Sequence, residues 1–215
     1  MLPEYELLSY EDSRQLAAKY GLPLVKGRRF RTLDEAKKII HEFKPPFVLK
    51  VIGPGVMHKT EKRLIALNLE SLDEISVAMD KLMRNAKGMN VDGFLMQEQK
   101  AGVELIIGGK RDTAFGAVVL FGSGGIMAEL YGDVAMRVAP LSRKDALDMI
   151  SETKARAFFT ERGFRGRRAD EEHVIKLLME TSRLMLNEQR VMELDFNPVI
   201  ADSREAVIVD ARILV

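Results

Sequence analysis

Residues 191–215 read VMELDFNPVI, then ADSRE, then AVIVDARILV, and this order predicts a β-hairpin. Two apolar runs joined by a short polar break are typical of that motif. Because side chains on a strand alternate between its two faces, the first run has one apolar face and one polar face. The apolar face carries Met192, Leu194 and Phe196, and the polar face carries Glu193, Asp195 and Asn197.

The polar face of this hairpin predicts a cation site. With a turn centred near Ser203, Asp210 of the second run falls roughly opposite Asn197, to within one residue of register. Carboxylates and an amide that converge on a sheet are costly unless cations balance them. Such an all-oxygen set suits Mg²⁺ or Mn²⁺ rather than zinc. A hairpin with one solvated polar face explains the same pattern, and the hairpin alone leaves both interpretations open.

Composition limits the class of protein. The chain has 215 residues with 47% hydrophobic content, enough for one large domain or two small lobes. Its 33 Lys and Arg residues balance 32 Asp and Glu residues, which argues against nucleic acid as the main partner. The absence of cysteine excludes disulfides, thiolate catalysis and Cys-ligated metals. The acidic start and the lack of long apolar runs predict a cytoplasmic protein with no membrane partner.

The order of elements predicts an α+β domain of two lobes. Strands are expected at FVLKVI (47–52) and LIALNLE (64–70), between capped helices. Three more apolar runs follow within residues 94–121, and two helical stretches precede the final hairpin. We place the hinge near residues 88–100, which gives a smaller lobe at about 1–92 and a larger lobe at about 93–215.

Three charged residues interrupt the apolar strands. Lys50 lies inside FVLKVI, where an unpaired ammonium is very costly, so it needs an anionic partner. That partner is either a protein carboxylate or a bound phosphate. Glu98 and Glu104 pose the same problem with the opposite charge. Together the three residues suggest a polar cleft between sheets.

Two loops could handle phosphate. FGSGGI, with Gly124 and Gly125, supplies small residues whose amides can approach a phosphate closely, although it matches neither the P-loop nor the dinucleotide fingerprint. His58 lies in a loop next to Lys59; it is either a solvated histidine or a nucleophile that carries phosphate. His41 and His173 are expected to be surface or packing residues.

These pieces together resemble the ATP-grasp domain of the ADP-forming acyl-CoA synthetases, the β subunit of ADP-forming acetate–CoA ligase. The similarity covers nearly the whole chain in the family's order. The matching stretches are YGLPLV (20–25), FVLKVIGPGVMHKTE (47–61), GFLMQEQKAGVELIIGGKRDTAFGAVVLFGSGGIMAEL (93–130), RVAPL (137–141), GFRGR (163–167), and ELDFNPVI with VIVDARI.

The resemblance implies a two-lobed fold that clamps ATP between antiparallel sheets. It implies that Lys50 contacts the nucleotide phosphates and that residues 96–99, including Glu98, form the hinge beside adenine. Glu104 then lies near the ribose or contributes to the electrostatics of the cleft. Asn197 and Asp210 hold Mg²⁺ with Asp195 nearby, and His58 takes part in phosphoryl relay.

The resemblance also implies a reaction and a partner. Acyl-CoA and phosphate give an acyl phosphate on a CoA-binding α subunit, whose phosphohistidine then passes the phosphoryl group towards the β subunit and ADP. The 215 residues contain no Rossmann-like CoA fingerprint, so we expect a separate α chain in an α2β2 hetero-oligomer.

Arg63 and Leu64 stand where the family has glycines. This difference leaves open a regulatory ATP-grasp module of a protein acetyltransferase, which binds nucleotide without turnover. A second alternative is a β subunit of succinate–CoA ligase, over which GFRGR and the compact length favour the acetate type.

Overall fold

The computed structural model describes residues 5–53, 56, 62–124 and 132–215. Its α-helices are α1 (Tyr10–Lys19), α2 (Leu33–Ile39), α3 (Leu72–Asn85), α4 (Arg143–Glu152) and α5 (Glu171–Asn187). Short 3-10 helices lie at Ile40–Glu42 and Lys154–Phe159. The strands are β1 (Gly27–Phe30), β2 (Phe47–Ile52), β3 (Ile65–Leu69), β4 (Gly93–Glu98), β5 (Val103–Asp112), β6 (Gly116–Ser123), β7 (Val134–Val138), β8 (Glu193–Ala201), β9 (Ala206–Ile208) and β10 (Ala211–Leu214).

The chain divides into two compact units. The smaller is Val25–Lys100, and the larger combines Met1–Leu24 with Ala101–Val215. The expected division into 1–92 and 93–215 differs from this in two places, because residues before Val25 belong to the larger unit and residues 93–100 belong to the smaller unit. β4 pairs with β1 and β2, which keeps it in the smaller unit. The segment before Val25 pairs with the final strands. The Leu8 N–H donates to the Ile213 carbonyl at 2.9 Å, and the Ile208 N–H donates to the Pro23 carbonyl at 2.8 Å.

The smaller unit is built on an antiparallel sheet with strand order β1-β4-β2-β3. Helix α3 packs on this sheet, and it is N-capped by Ser71, whose side chain accepts the N–H of Glu74. Alternate residues of β2 and β4 contribute to the hydrophobic core of this unit. They are Phe47, Leu49, Val51, Phe94 and Met96. The apolar run at 47–52 therefore forms a strand with one face on this core, as the sequence predicts.

The larger unit has an antiparallel sheet with strand order β10-β8-β5-β6-β7, and β9 also pairs with β8. Helix α5 packs against β5 and β6, which buries Phe121 on the sheet and Leu178 on the helix. Arg111 holds the carboxyl end of α5, because its guanidinium donates to the carbonyls of Met185 at 2.6 Å and Glu188 at 3.2 Å. The other face of this sheet carries the polar side chains of β8 and β10.

The structure confirms the predicted hairpin at residues 191–215. β8 pairs antiparallel with β9 and β10, and Phe196 faces Ala211. The Asn197 N–H donates to the Asp210 carbonyl at 3.1 Å, so these two residues are opposite each other as predicted. The second apolar run is two short strands rather than one, since pairing is interrupted between Ile208 and Ala211.

Across the described residues, the helices include none with the length and apolar character that crossing a bilayer requires.

Candidate functional site

The polar face of β8 and β10 gathers several charged groups. Asp195 is paired across the strands with Arg212, and Asn197 lies opposite Asp210. The alternate residues of β8, Leu194 and Phe196, point to the opposite face and are buried in the core. The hairpin thus separates an apolar core face from a face of polar and charged side chains, as strand alternation requires.

The ionisation of Asp195 reports how crowded this face is. Burial raises the pKa of the Asp195 carboxyl above its usual value, and the carboxylates of Asp210 and Glu193 raise that pKa further. The Arg212 guanidinium acts in the opposite direction. A carboxylate that burial and its neighbours hold towards its neutral form is one that a cation stabilises in its charged form.

The donor set fits Mg²⁺ shared with a nucleotide better than an all-protein cage. In the described part of the chain, no three His, Asp or Glu side chains are arranged to hold a metal by themselves. Mg²⁺ is usually bound by one or two carboxylates, with water and substrate phosphates completing its octahedron. Asp210 and the amide of Asn197 provide such a partial set.

Replacing Asp195 by asparagine tests this crowding through the pH dependence of stability. The pKa of Asp195 is higher in the folded chain than in the unfolded chain, so the unfolded chain ionises first as pH rises. The free energy of unfolding therefore falls as pH rises from the unfolded pKa, about 3.9, to the raised folded pKa. Asp195→Asn does not show this decrease in the free energy of unfolding, because asparagine does not ionise.

In urea titrations without divalent metal, we expect the stability of Asp195→Asn relative to wild type to increase as pH rises above about 3.9, the unfolded pKa. Asp80→Asn, a change at an exposed position of α3, is the matched control for the removal of one carboxylate. If the difference for Asp195→Asn varies with pH no more than that of the control, the crowded face is contradicted.

Lys50 lies on the face of the smaller sheet that does not carry the unit's core. Its neighbours along β2, Leu49 and Val51, are in that core, so Lys50 projects to the opposite side. Lys50 is only 3% exposed. A buried ammonium in such a position needs anionic or polar partners, which agrees with the sequence-based expectation.

The register of β2 and β4 separates Glu98 from Lys50. Lys50 pairs with Leu95, so Gln97 shares its face, while Glu98 pairs with Phe47 on the other face. There the Glu98 carboxylate accepts the N–H of Lys44 at 3.1 Å. Gln97 is 1% exposed, and sequence reasoning included it only within residues 96–99, not as the residue that shares the face of Lys50. Strand alternation places Gln97 and Leu95 on one face of β4. Only the pairing of Lys50 with Leu95 shows that this is the face of Lys50, and the sequence does not reveal that pairing.

Glu104 is exposed, so the expectation of a buried charge at this position is wrong. The physical reason is alternation, since Val103 and Leu105 take the core face of β5. The Glu104 carbonyl accepts the N–H of Gly124 at 2.8 Å. A Cβ at Gly124 would lie 2.7 Å from the Glu104 backbone, so this close approach requires glycine. Gly125 and His58 lie outside the described residues.

The two departures from the family's glycines have separate consequences. Arg63 has a φ of 55°, in the left-handed region that glycine adopts most readily. Its carbonyl accepts the side-chain N–H of Asn85 at 2.9 Å. Leu64 is fully buried in the core of the smaller unit. The backbone at Arg63 thus keeps a glycine-like conformation, while Leu64 adds core packing.

Comparison with known proteins places this fold and site in a class. The sequence model of the ATP-grasp domain matches residues 3–215, which makes the fold an ATP-grasp fold, as predicted. The β subunit of acetate–CoA ligase (ADP-forming) II from Pyrococcus furiosus is 35% identical over 97% of this chain and 91% of that protein. The chain therefore belongs to the ATP-grasp family, in the group of ADP-forming acetate–CoA ligase β subunits.

Other relatives extend the comparison. The acetate–CoA ligase (ADP-forming) II of Archaeoglobus fulgidus is also 35% identical over 97% of this chain, which corresponds to 30% of that protein. The acetyl-coenzyme A synthetase 1 of Ca. Korarchaeum cryptofilum, in complex with coenzyme A and Ca-AMPCP, has a TM-score of 0.91 at 38% identity, covering 98% of this chain and 93% of that one. A second structure of that synthetase contains Mg-AMPPCP and has a phosphohistidine segment that points towards the nucleotide-binding site.

Proposed function

We propose that this chain is the nucleotide-binding β subunit of an ADP-forming acid–CoA ligase. The enzyme interconverts acyl-CoA, ADP and phosphate with the free acid, CoA and ATP. The observation that carries the proposal is the register that sets Asn197 against Asp210 beside Asp195, whose pKa is raised. Relatives of nearly the same length that are named as β subunits of such ligases support it.

Each candidate residue has a role in binding nucleotide. Asn197 and Asp210 hold Mg²⁺, which neutralises charge on the β- and γ-phosphates when it is bound. Lys50 contacts the phosphates from β2. Gly124 and Gly125 bring backbone amides to the phosphates, and residues 96–99, with Glu98, lie along the adenine. Glu104 contributes to the electrostatics near the ribose.

The phosphoryl group passes through His58. A phosphohistidine of the partner gives up its phosphoryl group as its N–P bond breaks, and a ring nitrogen of His58 forms the new N–P bond. His58 then transfers the group to the β-phosphate of ADP and returns to neutral imidazole. The partner is a CoA-binding α subunit in an α2β2 assembly, and the complex is cytoplasmic.

A second candidate function is a regulatory module that binds nucleotide without turnover. Arg63 and Leu64 favour it, because they replace glycines next to the loop that carries His58. The two functions differ in one property. The ligase subunit makes ATP with its α partner, and the regulatory module does not.

Reconstitution with the α subunit of the same organism tests the proposal. ATP formation from acetyl-CoA, ADP and phosphate should require both chains. We expect His58→Asn to lower the rate by about 1,000-fold or more while Mg-ATP binding is retained, since the nucleophile is lost. His41→Asn, at an exposed position outside the loop, is the matched control and should be fully active. Full activity of His58→Asn contradicts the relay, and Mg-ATP binding without any ATP formation supports the regulatory module.

A further inference from the structure

An arginine-rich hairpin of the larger unit has no part in nucleotide binding as proposed. Residues 160–168 read TERGFRGRR, and we call this segment the arginine hairpin. Phe164 and Arg167 exchange two backbone hydrogen bonds, of 2.9 and 3.0 Å. Between them, Arg165 and Gly166 have φ values of 51° and 74°. Positive φ at both central residues identifies a two-residue turn of type I′.

Contacts at its base fix the shape of the arginine hairpin. The Phe164 ring meets the Phe158 ring edge to face at 5.8 Å. The Gly163 N–H donates to the Thr160 carbonyl at 3.0 Å, and a Cβ on Gly163 would lie 2.3 Å from the Arg167 carbonyl oxygen. The hairpin therefore presents its side chains on a defined backbone.

The arginine hairpin carries four arginines against one carboxylate, Glu161. Arg162, Arg165, Arg167 and Arg168 are all exposed, and no ion pair involves them within the described part of the chain. Several other surface arginines of the same unit have carboxylate partners, as Arg143 has in Glu172 and Arg137 has in Glu152. The whole chain carries a net charge of only +1. Crowding like charges in one short turn opposes folding, so an anionic partner is the natural counterpart.

The exposed side chains fit a protein surface better than a small ligand. Small-molecule sites are concave and enclose their ligand, whereas all four arginines of this turn are exposed. Phe164 is 47% exposed, and the Arg165 guanidinium lies 5.4 Å from the centre of its ring. Aromatic residues and arginine are enriched at the centres of protein interfaces.

We infer that the arginine hairpin docks on an acidic surface of the α subunit. The inference rests on the proposed function, which supplies that partner. Arg162, Arg165 and Arg167 pair with its carboxylates, and Phe164 is the apolar anchor between them. Charge pairs at the edge of such an interface speed association and make it dependent on salt.

The test measures binding of the full-length chain to the purified α subunit at several salt concentrations. The variant is R162Q/R165Q/R167Q, and the matched control is R14Q/R84Q/K144Q, which removes the same charge from exposed positions elsewhere. We expect the hairpin variant to bind α at least about tenfold more weakly and with a shallower salt dependence. The control should bind like wild type, and both variants should keep their Mg-ATP affinity.

The possible outcomes separate this inference from the proposed function. If the hairpin variant binds α with the affinity of the wild type, the inference is overturned and the proposed ligase function still stands. The same holds if the control variant is weakened as much as the hairpin variant. A wild-type chain that does not bind α at all contradicts the proposed function itself. Phe164→Ala, which leaves every charge in place, gives an independent measurement. Weaker binding with an unchanged salt dependence supports the anchor, and unchanged binding contradicts it.

Discussion

Replacing Asp210 by alanine is expected to weaken Mg-ATP binding by about 100-fold and to remove its dependence on Mg²⁺. The carboxylate is one of two proposed metal ligands, and Mg²⁺ accepts few protein ligands, so each contributes strongly. The fold should survive, because the hydrogen bond from Asn197 to residue 210 uses the backbone carbonyl. Isothermal titration with ATP, with and without Mg²⁺, measures both quantities.

The control for Asp210→Ala is Glu205→Ala, which removes an exposed carboxylate from the turn of the same hairpin. It should leave nucleotide affinity unchanged. If Asp210→Ala also binds Mg-ATP like wild type, the polar face of β8 and β10 is a solvated surface and its metal role is wrong.

Lys50→Met should weaken ATP binding by about 30- to 150-fold. This range corresponds to the loss of charge-assisted hydrogen bonds worth about 2–3 kcal/mol. Methionine retains the aliphatic volume of the buried lysine stem but removes its charge, so the strand β2 should stay packed. Nucleotide titration and thermal unfolding of the same sample distinguish a binding effect from a folding effect.

Lys87→Met, at an exposed position after α3, is the matched control for Lys50. The opposite result for Lys50→Met is a large loss of stability with nucleotide affinity unchanged. That outcome assigns Lys50 to a buried pair with a protein carboxylate, the alternative that the sequence left open.

The final hairpin shows what sequence reasoning can reach. Its register follows from one turn and from strand alternation, which are local rules, and the pairing of Asn197 with Asp210 was predictable for that reason. The apolar run around Lys50 likewise predicted β2 and the burial of its lysine. Both features depend on residues that are close in sequence.

The errors concern contacts between distant segments. The boundary near residue 92 was misplaced because β4 pairs with β1 and β2, and because Pro23 pairs with Ile208 far along the chain. The choice between Gln97 and Glu98 depends on the partner of Lys50 in β4, which no local pattern specifies. Glu104 was expected to be buried from its apolar neighbours, although alternation alone allows it to be exposed.

The central claim is that this chain relays a phosphoryl group between an α subunit and ADP. The most direct measurement incubates the chain with γ-³²P-labelled ATP and Mg²⁺ in the presence of the α subunit, then maps the label. The account predicts acid-labile label on His58 of the wild type, its absence from His58→Asn, and its loss on adding ADP. Intact Mg-ATP binding with no label on His58 under these conditions contradicts the account.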